Sequence, residues 1–201
     1  MVTSTKKLSA GFLKKRISLR PFTLSDVDAY MTLETDEKVL RFFTTKPLST
    51  KQEALEQLKD NVIPHPWYRA ICYHDSPIGY VYLDRGEGVN WSVGDITYCL
   101  SSLWWGRGIA TFSIKLAVSA IFNEIKDLQT IEAYIVKENT GSRRVVQKVG
   151  FEEMCLFENY WYIKGETYDV IQYAILRDDI TGMELEKLQT EITKMTINVQ
   201  V

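Results

Sequence analysis

Apolar and polar positions along this 201-residue chain fall into segments whose periods can be read one at a time. "RISLRPF" (16–22) alternates like a short strand and stops at Pro21. Ser25 then opens "SDVDAYMTLE", where Val27, Tyr30, Met31 and Glu34 recur at helical spacing. "STKQEALEQLKDNVI" (49–63) begins with a capping box, Ser49 to Gln52 or Thr50 to Glu53. It carries Ala54, Leu55, Leu58 and Val62 on one side and ends before Pro64, which predicts an amphipathic helix. Three β-rich pieces follow, 67–74, 77–84 and 90–101, separated by "DSP" and "RGEG". They predict a three-strand meander.

The run "IATFSIKLAVSAIFNEI" (109–125) is apolar on most sides, so a buried helix is expected. "TIEAYIVK" (130–137) reads as a strand, and "TGSRRVVQKVG" (140–150) as a helix closed by Gly150. Residues 151–176 read as two strands around Lys164-Gly165. The predicted order is strand, two helices, three strands, helix, strand, helix, two strands. That order describes an α/β (α+β) sheet, antiparallel before the long helix. The pattern changes after Arg177. A further capping box, Thr181 to Glu184, precedes a stripe of Leu185, Leu188, Ile192 and Met195, so an appended amphipathic helix is expected over 181–195. The chain thus divides into a basic leader (1–16), a folded domain (17–176) and a C-terminal extension (177–201).

Composition narrows the function classes. The apolar fraction (45%) and charged fraction (25%) are those of a globular domain, and the net charge of −2 gives no field suited to nucleic acid. No apolar run approaches the roughly 20 residues of a membrane-spanning helix. Cys72, Cys99 and Cys155 are far apart and form no CxxC pair, which fits reduced thiols and a cytoplasmic setting, a nuclear or organellar one remaining open. His65 and His74 have no partners at ligand spacing, so no metal site is readable, and no GxSxG elbow marks a serine hydrolase.

The chemistry is concentrated at "LWWGRGIAT" (103–111), where two glycines stand between a strand and a buried helix. A Walker loop would need a Lys-Ser/Thr pair, and none follows. A dinucleotide fingerprint would need a third small residue where Thr111 stands, and a βαβ unit where the meander stands. What remains is a strand running into a helix through Gly106 and Gly108. Such a turn is either purely structural or an anion cradle, in which the backbone N–H groups of 105–110 gather at a helix N-terminus with Arg107 adding a charge.

Taken with "ENTGSRRVVQKVGF" (138–151), the turn resembles the GNAT N-acetyltransferase superfamily, and within it the ribosomal-protein alanine acetyltransferase (RimJ/RimL-like) branch. The resemblance runs from about Ile17 to Leu176 and includes the opening "ISLRPFTLSDVDAYMTLETDEKVLRFF". It implies a mixed, largely antiparallel sheet flanked by helices, with acetyl-CoA as co-substrate and no metal. It further implies that Trp105, Gly106, Arg107, Gly108, Ile109 and Ala110 grip the pyrophosphate. Tyr98, Cys99 and Leu100 would pair with the pantetheine arm as an extra strand. Asn139 would bond the arm's amides, and Ser142 would lie beside the cofactor. Trp104 and Trp105 would line the channel or pack as core aromatics. The acceptor is expected to be a protein N-terminal amine or a small amine. A non-catalytic acyl-CoA-binding domain is the alternative, and a monomer or homodimer is expected.

Transfer from a thioester to an amine requires a base, an oxyanion donor and a partner for the leaving thiolate. Asp95 is the expected base, with Glu87 second, and the N–H groups near Leu100 are the expected oxyanion donors. The superfamily's usual acid is a tyrosine seven residues after the cofactor asparagine, but Val146 stands there. Ser142 takes that role in the resembling branch, with Tyr160 and Tyr168 in reserve. The segments 35–48 and 158–166, aromatic and mixed in charge, are the expected acceptor loops.

Overall fold

The computed structural model describes residues 16–86 and 88–180. Glu87 and the amphipathic stretch 181–195 lie outside the described residues, as does nearly all of the leader.

The strands are β1 (Ile17–Arg20), β2 (Tyr68–Tyr73), β3 (Ser76–Arg85), β4 (Val93–Leu100), β5 (Thr130–Val136), β6 (Glu152–Ile163) and β7 (Glu166–Leu176). They form one sheet in the order β1-β2-β3-β4-β5-β7-β6. The first four strands pair antiparallel, and so do β5 with β7 and β7 with β6; β4 and β5 alone run parallel. A parallel pair needs a crossover, and the long helix α4 (Ile109–Glu124) supplies it. The shorter helices are α1 (Val27–Leu33), α2 (Glu37–Leu40), α3 (Lys51–Gln57, continued by a π turn over Leu58–Val62) and α5 (Thr140–Val149).

Alternation along the strands builds two cores on the two faces of the sheet. On one face Ile96, Leu100, Ile131, Ala133 and Tyr173 pack with Ile114, Ala117 and Ile121 of α4 and Val146 of α5. On the other, Leu33 of α1 and Ala54 and Leu58 of the third helix cover Tyr68, Tyr80 and Cys99. Helix α4 is apolar nearly all round because it lies between the sheet and its neighbours. Its C-terminal carbonyls would be orphaned there, and Arg177 satisfies them. The guanidinium donates to the carbonyls of Phe122 and Ile125 at 2.7 Å and of Leu128 at 2.8 Å. Ile180 packs against the same core, so the domain's described part continues past Leu176.

The segments read from periodicity match the elements found, including the cap of α3, where Thr50 accepts from the Glu53 N–H. Several short pieces were not legible, among them α2 and 3-10 turns over Gly88–Asn90, Ser102–Trp104 and Arg177–Asp179. Each spans about one turn, too little for a period to show. Among the described residues no helix is long and apolar enough to cross a membrane.

One departure from regularity positions the site. Strands β4 and β5 pair only through Val93–Thr130, Gly94–Ile131 and Asp95–Glu132. Beyond Asp95 they diverge, and β4 runs on to Leu100 with no strand beside it on that side.

Candidate active site

At the far end of β4 the chain reverses through Trp105–Gly108 into α4. Gly106 and Gly108 both have φ of +73°, a region that costs an L-residue roughly 1–2 kcal/mol. Gly108 is the N-cap of α4, and the first helical bond runs from the Phe112 N–H to the Gly108 carbonyl. The N–H groups of Ile109, Ala110 and Thr111 therefore have no helical partner, and a Cβ at Gly106 would meet nothing within 4 Å. This is a bare helix N-terminus opening onto a cleft of about 600 Å3. Lys38, Arg41, Arg144 and Lys148 line that cleft, which suits a polyanionic ligand. Arg107 is not among the lining side chains, because its guanidinium lies 5.3 Å over the Trp104 ring. Trp104 in turn packs on Tyr73, with ring centres 4.8 Å apart. Its role is thus partly that of a core aromatic.

The unpaired edge of β4 forms one wall. Ser101 N–H donates to the Ile78 carbonyl of β3 at 2.9 Å, so Tyr98 and Leu100, in alternate register, turn their backbone groups toward the cleft. The Leu100 carbonyl is already occupied, accepting from the Trp105 indole at 2.7 Å. The Leu100 N–H remains directed at the opening. Cys99, next in line, is buried against the opposite core, and burial pushes its thiol well up.

Helix α5 forms the facing wall. Asn139 is its N-cap and accepts the Ser142 N–H at 3.1 Å, which commits the amide oxygen to the helix and leaves its NH2 group as the donor available to a ligand. The Tyr98 hydroxyl donates to the Ser142 carbonyl at 3.1 Å and so ties β4 to α5. Burial raises the Tyr98 phenol, and hydrogen bonding with the Ser142 side chain offsets part of that rise. Val146 is fully buried in the core, so that position holds no acid and does not face the cleft.

The cleft continues, past Tyr98, Asn139 and Ser142, into a second chamber of about 350 Å3 between the diverging strands. Phe42, Phe43, Tyr82, Tyr134 and Trp161 give this end its aromatic lining. Both segments expected to frame the acceptor arrive here. Lys164 at the β6–β7 turn donates to the Leu40 carbonyl at 2.7 Å, and Tyr168 meets Phe42 edge-on at 6.2 Å. Asp36 fixes the same loop to the end of β4, capping Lys38 N–H at 3.1 Å and accepting Ser102 N–H at 3.0 Å.

Asp95 lies on the sheet outside the cleft lining, at the last paired step before β4 and β5 separate. Its side chain reaches solvent, yet partial desolvation, then the charges of Glu132 and Asp84 beside it, push the carboxyl up to about 6. Tyr160 and Tyr168 are outside the lining as well: Tyr160 stacks on Phe157, and Tyr168 donates to Glu166 at 2.6 Å. Tyr134 is one of the polar groups lining the cleft that sequence reasoning missed, with Tyr82 and the four basic side chains. Tyr134 occupies an ordinary strand position, and only the divergence of β4 from β5 uncovers it.

Comparison with known proteins identifies the family and the fold. The model of the acetyltransferase (GNAT) domain family matches residues 16–152. The probable N-acetyltransferase YjcK of Bacillus subtilis is 29% identical over 179 residues, covering 82% of this chain and 96% of that protein. Among solved structures, RimL, a ribosomal-protein alpha-N-acetyltransferase in complex with coenzyme A, superposes with a TM-score of 0.72 at 20% identity, covering 82% of this chain and 96% of the other. Spermidine N-acetyltransferase from Vibrio cholerae, in complex with coenzyme A and spermine, gives 0.69 at 20% identity, covering 82% and 97%. With its glycine turn at the N-terminus of α4, its split sheet and a family match across most of the chain, the protein belongs to the GNAT family of N-acetyltransferases.

Proposed function

We propose that the protein transfers the acetyl group of acetyl-CoA to a primary amine, either a protein N-terminal α-amine or a small amine. The observation that carries this reading is the single cleft running from the bare N-terminus of α4, along the unpaired edge of β4, into the aromatic chamber. When bound, acetyl-CoA supplies an acetyl thioester at the junction of the two chambers. The residues present fit it: unpartnered N–H groups and basic side chains at one end, an unpaired strand edge in the middle.

The N–H groups of 109–111 hold the pyrophosphate, with Trp105, Gly106 and Gly108 shaping the loop and no Cβ at either glycine. Tyr98 and Leu100 hold the pantetheine arm through their backbone, and Asn139 donates from its side-chain amide. The Leu100 N–H donates to the oxygen on which charge develops. The Ser142 hydroxyl, on a residue whose carbonyl Tyr98 ties to β4, hydrogen-bonds the departing sulfur. Asp95, its carboxyl pushed up to about 6 on the rim outside the chamber, is the base toward which the amine's proton leaves.

Both kinds of acceptor are represented among the similar structures, since RimL acts on a ribosomal protein and the Vibrio enzyme on spermidine. Against a polyamine stands the chamber itself: none of the described residues lining it is an acid that would hold a second ammonium group. The test is transfer of radiolabelled acetyl from acetyl-CoA to a mixed panel of peptides and amines. Label on an amine with a single cationic centre is the expected outcome; tight acetyl-CoA binding with no labelled product would instead assign the chain to acyl-CoA binding without transfer.

A further inference from the structure

An amine bound in the aromatic chamber arrives largely as an ammonium, since α-amines have a pKa near 8 and alkylamines near 10. None of the described residues lining the chamber carries a carboxylate or an imidazole, and Asp95 is not among them. The proton therefore has to leave through a hydroxyl that is itself bonded to a base. Tyr82 does not qualify, because its hydroxyl pairs with that of Thr97, which has no basicity to offer.

Tyr134 does. Its hydroxyl donates to Glu132 Oε2 at 2.9 Å, two residues back on the same face of β5. It also accepts from Gln172 Nε2 of β7 at 3.0 Å. The amide of Gln172 is held in that orientation by Cys155, whose thiol donates to Oε1 at 3.2 Å. The phenol oxygen can accept from a donor in the chamber in exchange for Gln172. Glu132 stands directly opposite Asp95 on β4, at the last paired step of the two strands. The groups facing Tyr134 are thus Glu132 on its own strand, Asp95 from β4, Tyr160 from β6 and Gln172 from β7. Burial first, then the bond to Glu132, hold the Tyr134 phenol high, so it stays protonated and passes a proton on rather than losing one.

We propose that Tyr134 and Glu132 form the proton exit of the acceptor site, linking the chamber to the acidic rim at Asp95. The inference rests on the acetyl-transfer reading above. An N–H bond of the ammonium breaks as its proton passes to Tyr134 Oη. The O–H bond of Tyr134 breaks toward Glu132 Oε2 in the same movement, leaving a neutral amine with a free lone pair, a neutral tyrosine and a protonated Glu132. Glu132, half-exposed and beside Asp95, passes the proton to that acidic rim and so to solvent.

The test compares Tyr134→Phe and Glu132→Gln with the wild type, using an alanine-terminated peptide and propylamine as acceptors, from pH 7 to 9.5. Each variant is first shown to keep the acetyl-CoA-dependent thermal shift; the two are read in parallel, so misfolding of one leaves the other decisive. Both are expected to lose on the order of 10²-fold in kcat/KM at pH 7. The deficit shrinks as pH rises, because the free amine then needs no proton removed. A deficit equal at every pH, or none, with wild-type transfer intact, overturns the proton exit alone. A wild type that acetylates neither amine overturns the transfer reading and the exit with it.

Discussion

The two ends of the cleft are built from different materials. At the cofactor end the closest-set groups are main chain, the N–H groups of 109–111 and the edge of β4 at Tyr98 and Leu100, with the Asn139 amide and four basic side chains around them. At the acceptor end they are side chains drawn from four places, Phe42 before α3, Tyr82 on β3, Tyr134 on β5 and Trp161 on β6. A main-chain site is indifferent to most substitutions and intolerant of a few that change the backbone. A side-chain site is the reverse, since each residue can be exchanged within the same fold. One scaffold can therefore keep its acyl donor while its acceptor changes, and RimL and the spermidine enzyme illustrate this in proteins of the same fold.

The sharpest way to break the comparison is at Gly108. Its φ of +73° is unfavourable for any side chain and most so for a β-branched one, and the turn it makes aims three N–H groups at one point. Gly108→Val is expected to abolish the acetyl-CoA-dependent rise in Tm, which otherwise grows with ligand concentration by mass action. A variant with unchanged affinity would mean that the main chain is not the phosphate site. A smaller effect is expected at Ser142, where the two ends meet. A serine hydroxyl is too weak an acid to hand a proton outright to a thiolate whose conjugate acid has a pKa near 8.5, so it orients and hydrogen-bonds. Ser142→Ala should lower kcat on the order of 10–10²-fold with acetyl-CoA affinity nearly unchanged. Tyr160→Phe and Tyr168→Phe are controls expected to keep kcat, since neither lines the cleft.

The same contrast explains what could be read in advance. Main-chain sites leave local signatures: Gly106 and Gly108 before an apolar helix, Asn139 three residues before Ser142. These are short-range patterns with a conformational cause, and they were legible. The acceptor end has no such signature. Tyr134 and Glu132 look like any alternating strand, and nothing within residues 130–137 says that β4 will leave β5 at Asp95. That divergence is a property of two strands about 35 residues apart, with α4 between them. Asp95 was legible as a carboxylate on the central strand. Its distance from the chamber was not, because it depends on which face of β4 each side chain takes.

Asp95 also permits a test of the acceptor end by stability rather than by rate. Its carboxyl is pushed up to about 6, against an unperturbed value near 3.9. The folded state then binds that proton more tightly than the unfolded state does. The contribution is fully present below about pH 4 and is lost as pH rises through about 6. Asp95→Asn removes this dependence. Its Tm relative to the wild type should therefore be more favourable at pH 7.5 than at pH 4, by a small margin because the side chain reaches solvent. A difference that is flat with pH, or of opposite sign, would show that neither desolvation nor the charges of Glu132 and Asp84 raise the Asp95 carboxyl.

The smallest expected effect concerns residues 181–201, which the contrast assigns to neither end. The residues lining the acetyl-CoA end lie between Lys38 and Lys148, and the last contacts described past the sheet are structural. Arg177 closes the carbonyl end of α4, and the Leu176 N–H donates to Asp179 at 2.8 Å. A chain cut after Ile180 retains all of these. It should keep its fold and show the same acetyl-CoA-dependent Tm shift as the full-length protein. The stripe of Leu185, Leu188, Ile192 and Met195 would then matter, if at all, for association, and sedimentation of the two chains reads that separately. A shortened protein that folds but no longer responds to acetyl-CoA would extend the cofactor site into residues 181–201 and undo the division between the two ends. A shortened protein that binds normally but loses a dimer would leave that division intact and give the stripe its function.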